Sequence, residues 1–426
     1  MNILILEPNY SNFEQDLAHY VTETKIDKIY SFIFNLGLYV YLWKTQPILI
    51  HNKLKDQTCS EQDITIVLNT KTLLSEQIKK REKRSFTEQE ILYQAKYVAF
   101  AKNFLKQYAI DFVFMHNDLR WQHALTIQVC QLLNIRHMVT EFGVFRPSTI
   151  TVDFKGVNAY SSLPKIANFY KNYAIPNKTL KNYPTSTRKQ LWIYSKFGAF
   201  LSLNLVGQLF KLNVSLKNKH YSFVNYAKLF FSQFFTKKTR LSTKIPKKYI
   251  FIPLQVNTDT QILVHSPFTD IQSFITFVED AYFNLPAFVQ TEYQLVFKIH
   301  PMELGVQDYQ FHPKSLVLNA DTHTLIHHAA LVITINSTVG FEALALYKKV
   351  LVLGEAFYKI PHLCICSHPN TLVEDILRGL QTNNEMSQQI VDHFIAYLKY
   401  EYQINGNVYN YDTYTLAAIK AKMFTQ

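Results

Sequence analysis

The sequence predicts an α/β protein of two Rossmann-like domains facing a central cleft, with a helical, basic and aromatic insertion. Three observations lead there. Short apolar runs alternate with helix-length segments in two separate regions, the pattern of parallel sheets covered by helices. A stretch over about 165–245 breaks that rhythm with Tyr, Phe, Asn and Lys. Finally, 426 residues that are 48% hydrophobic and only 18% charged are enough for two buried cores and too apolar for a disordered chain.

The first domain is expected over 1–245, with strands at Ile3–Leu6, Ile64–Leu68, Phe112–Met115 and His137–Glu141. The second is expected over 246–426, with strands at Tyr249–Leu254, Leu295–Ile299, Leu316–Leu318, Val332–Ile335 and Val350–Leu353. Helical patterns at Ile271–Asn284 and Thr338–Leu346 fall between these strands. This outline is GT-B-like, an arrangement shared by many two-domain α/β proteins.

Composition then narrows the chemistry. Only 10 glycines are present, and neither G-x-G-x-x-G nor G-x-x-x-x-G-K-[ST] occurs, which argues against a glycine-loop nucleotide site. No D-x-D triplet occurs, so the sequence offers no metal–diphosphate clamp. A formal charge of +12 points to anionic partners. The densest basic run, Lys79 to Arg84, comes without a nucleic-acid-binding motif, so no nucleic-acid partner is expected. Four cysteines form no disulfide framework in a chain this long, which suits a reducing compartment. The start, MNILILEPNYSNFEQ, lacks the pattern of a signal peptide, and the 14 uncharged residues Phe197–Phe210 are too few to span a bilayer. The insertion, with its basic cluster Lys237, Lys238, Arg240, Lys244, Lys247 and Lys248, either packs against the first domain or rests on an anionic membrane surface.

Four segments carry candidate chemistry. In the first, T-E-F-G-V-F-R-P, Glu141 ends a strand, where open α/β sheets bind ligands, and Arg146 follows close behind. Glu141 is either a general acid or base or a strand-end carboxylate paired with Arg146. The second, Ile252 to Ser266, runs from an apolar strand into a polar loop with Gln255, Asn257, Asp259, Gln261, His265 and Ser266. Asp259 is either a cleft carboxylate or a helix N-cap. In the third, Leu295 to Gly305, a strand delivers Lys298, His300 and Pro301 to a sheet edge, where an imidazole could serve a phosphate. In the fourth, Asn336-Ser337-Thr338 opens a helix after a strand, a phosphate site or a simple cap. The run His362, Cys364, Cys366, His368 has zinc-type residues, but ligands about 7 Å apart along a strand suit one tetrahedral ion poorly, and no metal is expected.

In order along the chain, these segments resemble the capsule polysaccharide synthesis family and its KpsS-type β-Kdo transferases. The matching stretches are E-F-G-V-F-R-P-S-T-I-T-V-D-F-K-G-V-N-A-Y-S-S-L-P, L-Q-V-N-T-D-T-Q-I-L-V-H-S, K-I-H-P-M-E-L-G and T-I-N-S-T-V-G-F-E-A-L. The resemblance implies a capsule-assembly glycosyltransferase that moves β-Kdo from CMP-β-Kdo to a phosphatidylglycerol-type lipid, with no cofactor. It would act on the cytoplasmic face of the inner membrane, beside other capsule assembly and export proteins. Asp259 would be the nucleophile of a retaining reaction and Glu141 the acid/base. His300, Pro301, Lys298, Asn336, Ser337, Thr338, Gln255, Gln261, His265 and Ser266 would hold the donor in the second domain. Arg146, Asn158, Ser161 and Ser162 would meet substrate in the first, acceptor domain. The chain departs from the family pattern at Phe142, at Glu7-Pro8-Asn9-Tyr10 and at Asn35-Leu36-Gly37, all on the acceptor side. Another CMP-activated acidic sugar, such as sialic acid, and a non-catalytic assembly subunit are the competing readings.

Overall fold

The computed structural model describes residues 1–22, 27–184, 186–216, 244–303, 307–381 and 388–425. Lys237, Lys238, Arg240 and Gly305 lie outside the described residues. The chain divides into two compact units, and each carries one sheet.

The first unit comprises Met1–Ser162, Pro176–Asn218 and Leu398–Gln426. Its strands are β1 (Ile3–Leu6), β2 (Ile29–Ile33), β3 (Gln46–Leu49), β4 (Phe112–His116), β5 (Arg136–Phe142) and β6 (Thr149–Asp153), completed by β13 (Gln403–Asn405). The order across the sheet is β13-β6-β5-β4-β1-β2-β3. Strands β1 to β5 run parallel, while β6 and β13 pair antiparallel at one edge. The second unit comprises Leu163–Ile175 and Lys219–Tyr397. Its strands are β7 (Tyr249–Pro253), β8 (Gln294–Lys298), β9 (Leu316–Val317), β10 (Leu331–Thr334), β11 (Val350–Val352) and β12 (Ile365–Cys366). They form an all-parallel sheet in the order β12-β11-β10-β7-β8-β9. β1, β7 and β10 are buried along their whole length, as strands covered by helices on both faces must be.

One expected strand is a helix. Ile64–Leu68 lies inside the helix Glu61–Asn69. Ser60 Oγ accepts from the Asp63 N–H at 3.3 Å, and the Asp63 carboxylate accepts from the Ser60 N–H at 2.8 Å. This capping box starts a helix just before the β-branched run, and an ion pair from Lys102 to Asp63 at 2.5 Å fixes it to the neighbouring helix Glu88–Gln107. The chain split expected at 245/246 also differs, because the C-terminal segment returns to the first sheet. Gln403 to Asn405 pair with Thr151 to Thr149 along β6. The expected insertion is shared between the units, with Leu163–Ile175 in the second and Pro176–Asn218 in the first. The long helix of that stretch, Thr187–Leu209, turns Phe197 and Phe200 onto Tyr10, with ring centroids 5.6 and 5.1 Å apart. No helix among the described residues is long and apolar enough to cross a membrane.

Candidate functional site

In the first sheet the strand sequence reverses between β1 and β4, the point at which open α/β sheets bind ligands beyond their carboxyl ends. Glu7 follows β1, His116 and Asn117 end and follow β4, and Glu141 is the penultimate residue of β5. Asn117 sits at a positive φ of 69°, a conformation its short amide tolerates. This turns its side chain back, so that Nδ2 donates to Glu141 Oε2 at 3.2 Å. His116 Nε2 lies 3.6 Å from Glu141 Oε1. Burial pushes the His116 ring down to about 4, against the pull of Glu141, so the imidazole is neutral at physiological pH.

Behind it, His116 Nδ1 meets Thr140 Oγ1 at 3.3 Å, and Thr140 Oγ1 meets Glu14 Oε1 at 3.1 Å. Glu14 is fully buried, and that burial raises its carboxyl to about 7. Hydrogen bonds therefore join a carboxyl poised near neutrality to a hydroxyl and that hydroxyl to a neutral imidazole, which stands 3.6 Å from Glu141 without a hydrogen bond to it. Beside it, Glu7 accepts from Arg120 at 2.6 Å and from Gln122 at 2.7 Å.

The second sheet reverses between β7 and β10. The loop after β7, the loop after β8 and the turn after β10 leave three adjacent parallel strands at the same edge. Asp259 caps the short helix Thr260–His265, with Oδ1 accepting from the Gln261 N–H at 2.9 Å. Its Oδ2 receives Gln255 Nε2 at 3.4 Å, and the same amide nitrogen donates to Asn336 Oδ1 at 3.0 Å. Asn336 Nδ2 in turn donates to the carbonyls of Gln261 at 3.1 Å and His265 at 3.4 Å. Gln255, Gln261, His265 and Asn336 thus tie the β7 loop to the end of β10. Gly354 is needed beside this network, since a Cβ there would fall 2.7 Å from the His265 carbonyl oxygen.

Ser337 caps the helix Thr338–Ala345, accepting from the Val339 N–H at 3.2 Å. Thr338 is exposed at its first position. His300 follows β8, and its Nδ1 accepts from the Met302 N–H at 3.2 Å, which leaves the proton of the neutral ring on Nε2. Burial holds the His300 ring below its ordinary value, with Glu303 and Asp259 opposing. Pro301 opens the short turn that brings Met302 back to this ring. Ser266 Oγ accepts from the Phe268 N–H at 3.0 Å.

The structure sets aside one of the two readings of Glu141, its pairing with Arg146, and gives other singled-out residues contacts of their own. Arg146 does not pair with Glu141; it lies over the Phe142 ring at 5.5 Å, with Nε on the Gly143 carbonyl at 3.4 Å. The antiparallel turn from β5 to β6 carries it past the carboxylate, and Asn117 and His116 take the place expected for it. Lys298 donates to the Ala320 carbonyl at 2.5 Å. Ser162 gives both its N–H and its hydroxyl to Asp153, at 2.7 and 2.8 Å. Asp153 also accepts from Tyr402 at 2.8 Å and from the Lys155 N–H at 2.7 Å, so the V-D-F-K-G-V-N-A-Y-S-S stretch is wound around one buried carboxylate. Asn158, at a positive φ of 53°, and the buried Ser161 lie in that winding. Gly156 has to be glycine there, because a Cβ would meet Asp118 Oδ2 at 2.8 Å. Among the described residues no group of three or more His, Cys, Asp or Glu could hold a metal; Cys364 and Cys366 Sγ stand 3.9 Å apart.

Glu7, Glu14, His116, Asn117 and Arg120 escaped the sequence reading. The rule that singled out Glu141, polar residues at the carboxyl end of a strand, applies equally to Glu7 after β1 and to His116-Asn117 at β4. Glu14 gives no such signal, since it is one acidic residue in the first turn of a helix.

Compared with known proteins, residues 111–409 match the model of a family described as capsule polysaccharide biosynthesis protein. The capsule polysaccharide export protein KpsS of Escherichia coli is 28% identical over 333 residues, which cover 71% of this chain and 80% of that protein. The capsule polysaccharide modification protein LipB of Neisseria meningitidis serogroup A is 26% identical over 340 residues, covering 73% of this chain and 78% of its own. Among solved structures, KpsC of Thermosulfurimonas dismutans, a β-Kdo 2,7 transferase, aligns at 15% identity with a TM-score of 0.37, over 86% of this chain and 97% of that one.

Proposed function

The chain belongs to the capsule polysaccharide biosynthesis protein family, and we propose that it is a retaining glycosyltransferase carrying β-Kdo from CMP-β-Kdo to a phosphatidylglycerol-type lipid. The observation that carries this reading is the edge of the second sheet. There a hydrogen-bonded carboxylate, Asp259, stands with a neutral imidazole bearing its proton on Nε2 and a serine-capped helix start, all on loops of three adjacent strands.

Asp259 attacks the anomeric carbon of the donor sugar as the bond to the CMP phosphate oxygen breaks, which gives a glycosyl-enzyme ester. Oxygen-bound charge on the departing CMP is met by His300 Nε2–H, by the Thr338 N–H and by the Ser337 and Thr338 hydroxyls. An acceptor hydroxyl then attacks the same carbon, its proton passes to Glu141, and Asp259 leaves as carboxylate. Two inversions restore the starting configuration. The two hydrogen bonds to Asp259 fix its aim and are themselves held by Asn336. The protein works as a peripheral protein on the inner face of the inner membrane, beside other capsule assembly and export proteins, where its charge of +12 favours anionic lipid.

The test is transfer from CMP-Kdo, generated in situ, to a fluorescent phosphatidylglycerol analogue, for the wild type and Asp259→Ala. A Kdo-lipid product that disappears in the variant is the expected result. A wild type that binds CMP yet transfers no Kdo from CMP-Kdo, but does transfer sialic acid from its CMP ester, would overturn the donor. A variant as active as the wild type would overturn the nucleophile.

A further inference from the structure

A cavity of about 400 Å³ opens in the first unit between Tyr10–Asp16 at the start of the helix Phe13–Val21, Trp43-Lys44, the helix Thr187–Leu209 and the segment Val408–Tyr411. That volume suits a small polar head group. Its lining combines three lysines, Lys44, Lys189 and Lys196, with a single carboxylate, Asp16. Asp16 is already engaged, accepting from Tyr411 Oη at 2.6 Å and lying 3.8 Å from Lys44 Nζ. Lys189 and Lys196 have no carboxylate partner among the described residues. Lys189 Nζ donates to Asn410 Oδ1 at 2.6 Å, and Lys196 to Asn12. Burial holds both ammonium groups below their ordinary values, with Asp16 opposing at Lys196, whose Nζ also lies 5.2 Å from the Trp192 ring centroid.

A second observation points into the same space. Gln15 is 1% exposed, and its Nε2 has no hydrogen-bond partner, although Oε1 accepts from the Lys44 N–H at 2.8 Å. A buried amide donor beside two lysines without an ion-paired carboxylate is an unfilled set of contacts for an anionic oxygen.

The helix that contributes Lys189 and Lys196 has an opposite, apolar side. Leu191, Tyr194, Leu205 and Leu209 are exposed and recur at spacings that share one side of the helix, with Trp192 between that side and the cavity. Charge within and exposed hydrocarbon alongside suit a molecule with an anionic head and an apolar tail. The cavity's Tyr409 wall lies 5.9 Å from the Phe142 ring, and the candidate acid/base Glu141 is among the charges that act on the Tyr409 hydroxyl. We propose that this cavity is the acceptor subsite and takes the phosphate-bearing head group of a membrane amphiphile, with the exposed side of Thr187–Leu209 resting in the lipid surface. This inference rests on the lipid-acceptor reading above and adds the residues that would select the acceptor.

Calorimetric titration of the full chain with monomeric dihexanoylphosphatidylglycerol tests it, with dihexanoylphosphatidylcholine and inorganic phosphate as comparison ligands. CMP binding by the same preparations separates failure of this site from failure of the transferase reading. Saturable binding of the anionic lipid is expected, weakened at least tenfold by Lys189→Gln with Lys196→Gln while CMP binding is unchanged. Should the lysine pair be needed for folding, Gln15→Leu carries the same expected tenfold loss. Equal affinity for the zwitterionic lipid, or variants that bind as the wild type does, would overturn the proposal. Inorganic phosphate binding as tightly as the anionic lipid would reduce the site to a free-phosphate site and overturn the amphiphile. Loss of lipid binding and CMP binding alike in the wild type would instead strike at the transferase reading itself.

Discussion

The two units share a strand plan and solve opposite electrostatic problems. Each sheet orders its strands 3-2-1-4-5 outward from the reversal and gathers polar residues at its carboxyl edge. At the edge of the first unit those residues are ionisable and buried: Glu7, Glu14, His116 and His123 are all under one-tenth exposed. Burial raises Glu14, lowers His116 to about 4 and holds His123 well below its ordinary value. At the edge of the second unit, Asp259, His300 and the buried Glu303, which accepts from the Asn257 N–H at 2.9 Å, stand among amides, hydroxyls and helix caps. Under the proposed function the first edge moves a proton, which needs groups whose charge can change, and the second holds a phosphate with donors fixed in place.

Variants can break or sharpen that contrast. The largest effects belong to the two carboxylates assigned to chemistry. Asp259→Asn should lower Kdo transfer by about 10³-fold or more by removing the nucleophile. Glu141→Gln should cost about 10²- to 10⁴-fold by removing the proton acceptor, read as initial rates with the lipid acceptor.

Next comes a pH effect confined to the first unit. The Glu14 carboxyl is raised from 4.5 to about 7, so the folded chain holds a proton there that the unfolded chain releases. Wild-type stability relative to Glu14→Gln should therefore fall as pH rises from about 4.5 to 7, by about 3 kcal/mol, and stay level above that. Denaturant titrations of both proteins at pH 5 and pH 8 read the difference, and an unchanged difference would contradict the buried neutral carboxyl. The matching test in the second unit is His300→Ala, which should weaken CMP binding by about 2 kcal/mol through loss of one hydrogen bond to a charged phosphate, with little pH dependence above 7. The smallest effect is expected of Ser162→Ala. Its hydroxyl serves Asp153, so the change should cost about 1 kcal/mol of stability and leave the acceptor KM unaltered.

The same contrast explains what was legible in the sequence. The second unit's edge could be read because each contributing loop directly follows a buried strand of an all-parallel sheet, as Gln255 to Asp259 follow β7 and Asn336 to Thr338 follow β10. The first unit's edge is assembled from distant places. Glu14 sits on a helix, Thr140 and His116 on two strands, and the Tyr409 wall comes from the far end of the chain. Only Glu141 stood in a recognisable stretch, and of its two readings there the pairing with Arg146 fails because the tight β5–β6 turn points the arginine onto Phe142. β2 and β3 were missed, the first because a strand buried on both faces shows no alternation. β13 is three residues long and pairs more than 250 positions upstream, which no local pattern can signal. Ile64–Leu68 was misread because a β-branched run outweighed the Ser60–Asp63 capping box.

The proposed function assigns Asp259 as nucleophile and Glu141 as proton acceptor of one transfer reaction. The most direct measurement is a double-mutant cycle on Kdo transfer to the lipid acceptor, with Asp259→Asn, Glu141→Gln and the two combined. Groups that act in one reaction lose rate non-additively, so the double variant should be no slower than about tenfold below the worse single one. Losses that multiply in full, or a single variant with wild-type transfer, would contradict the account.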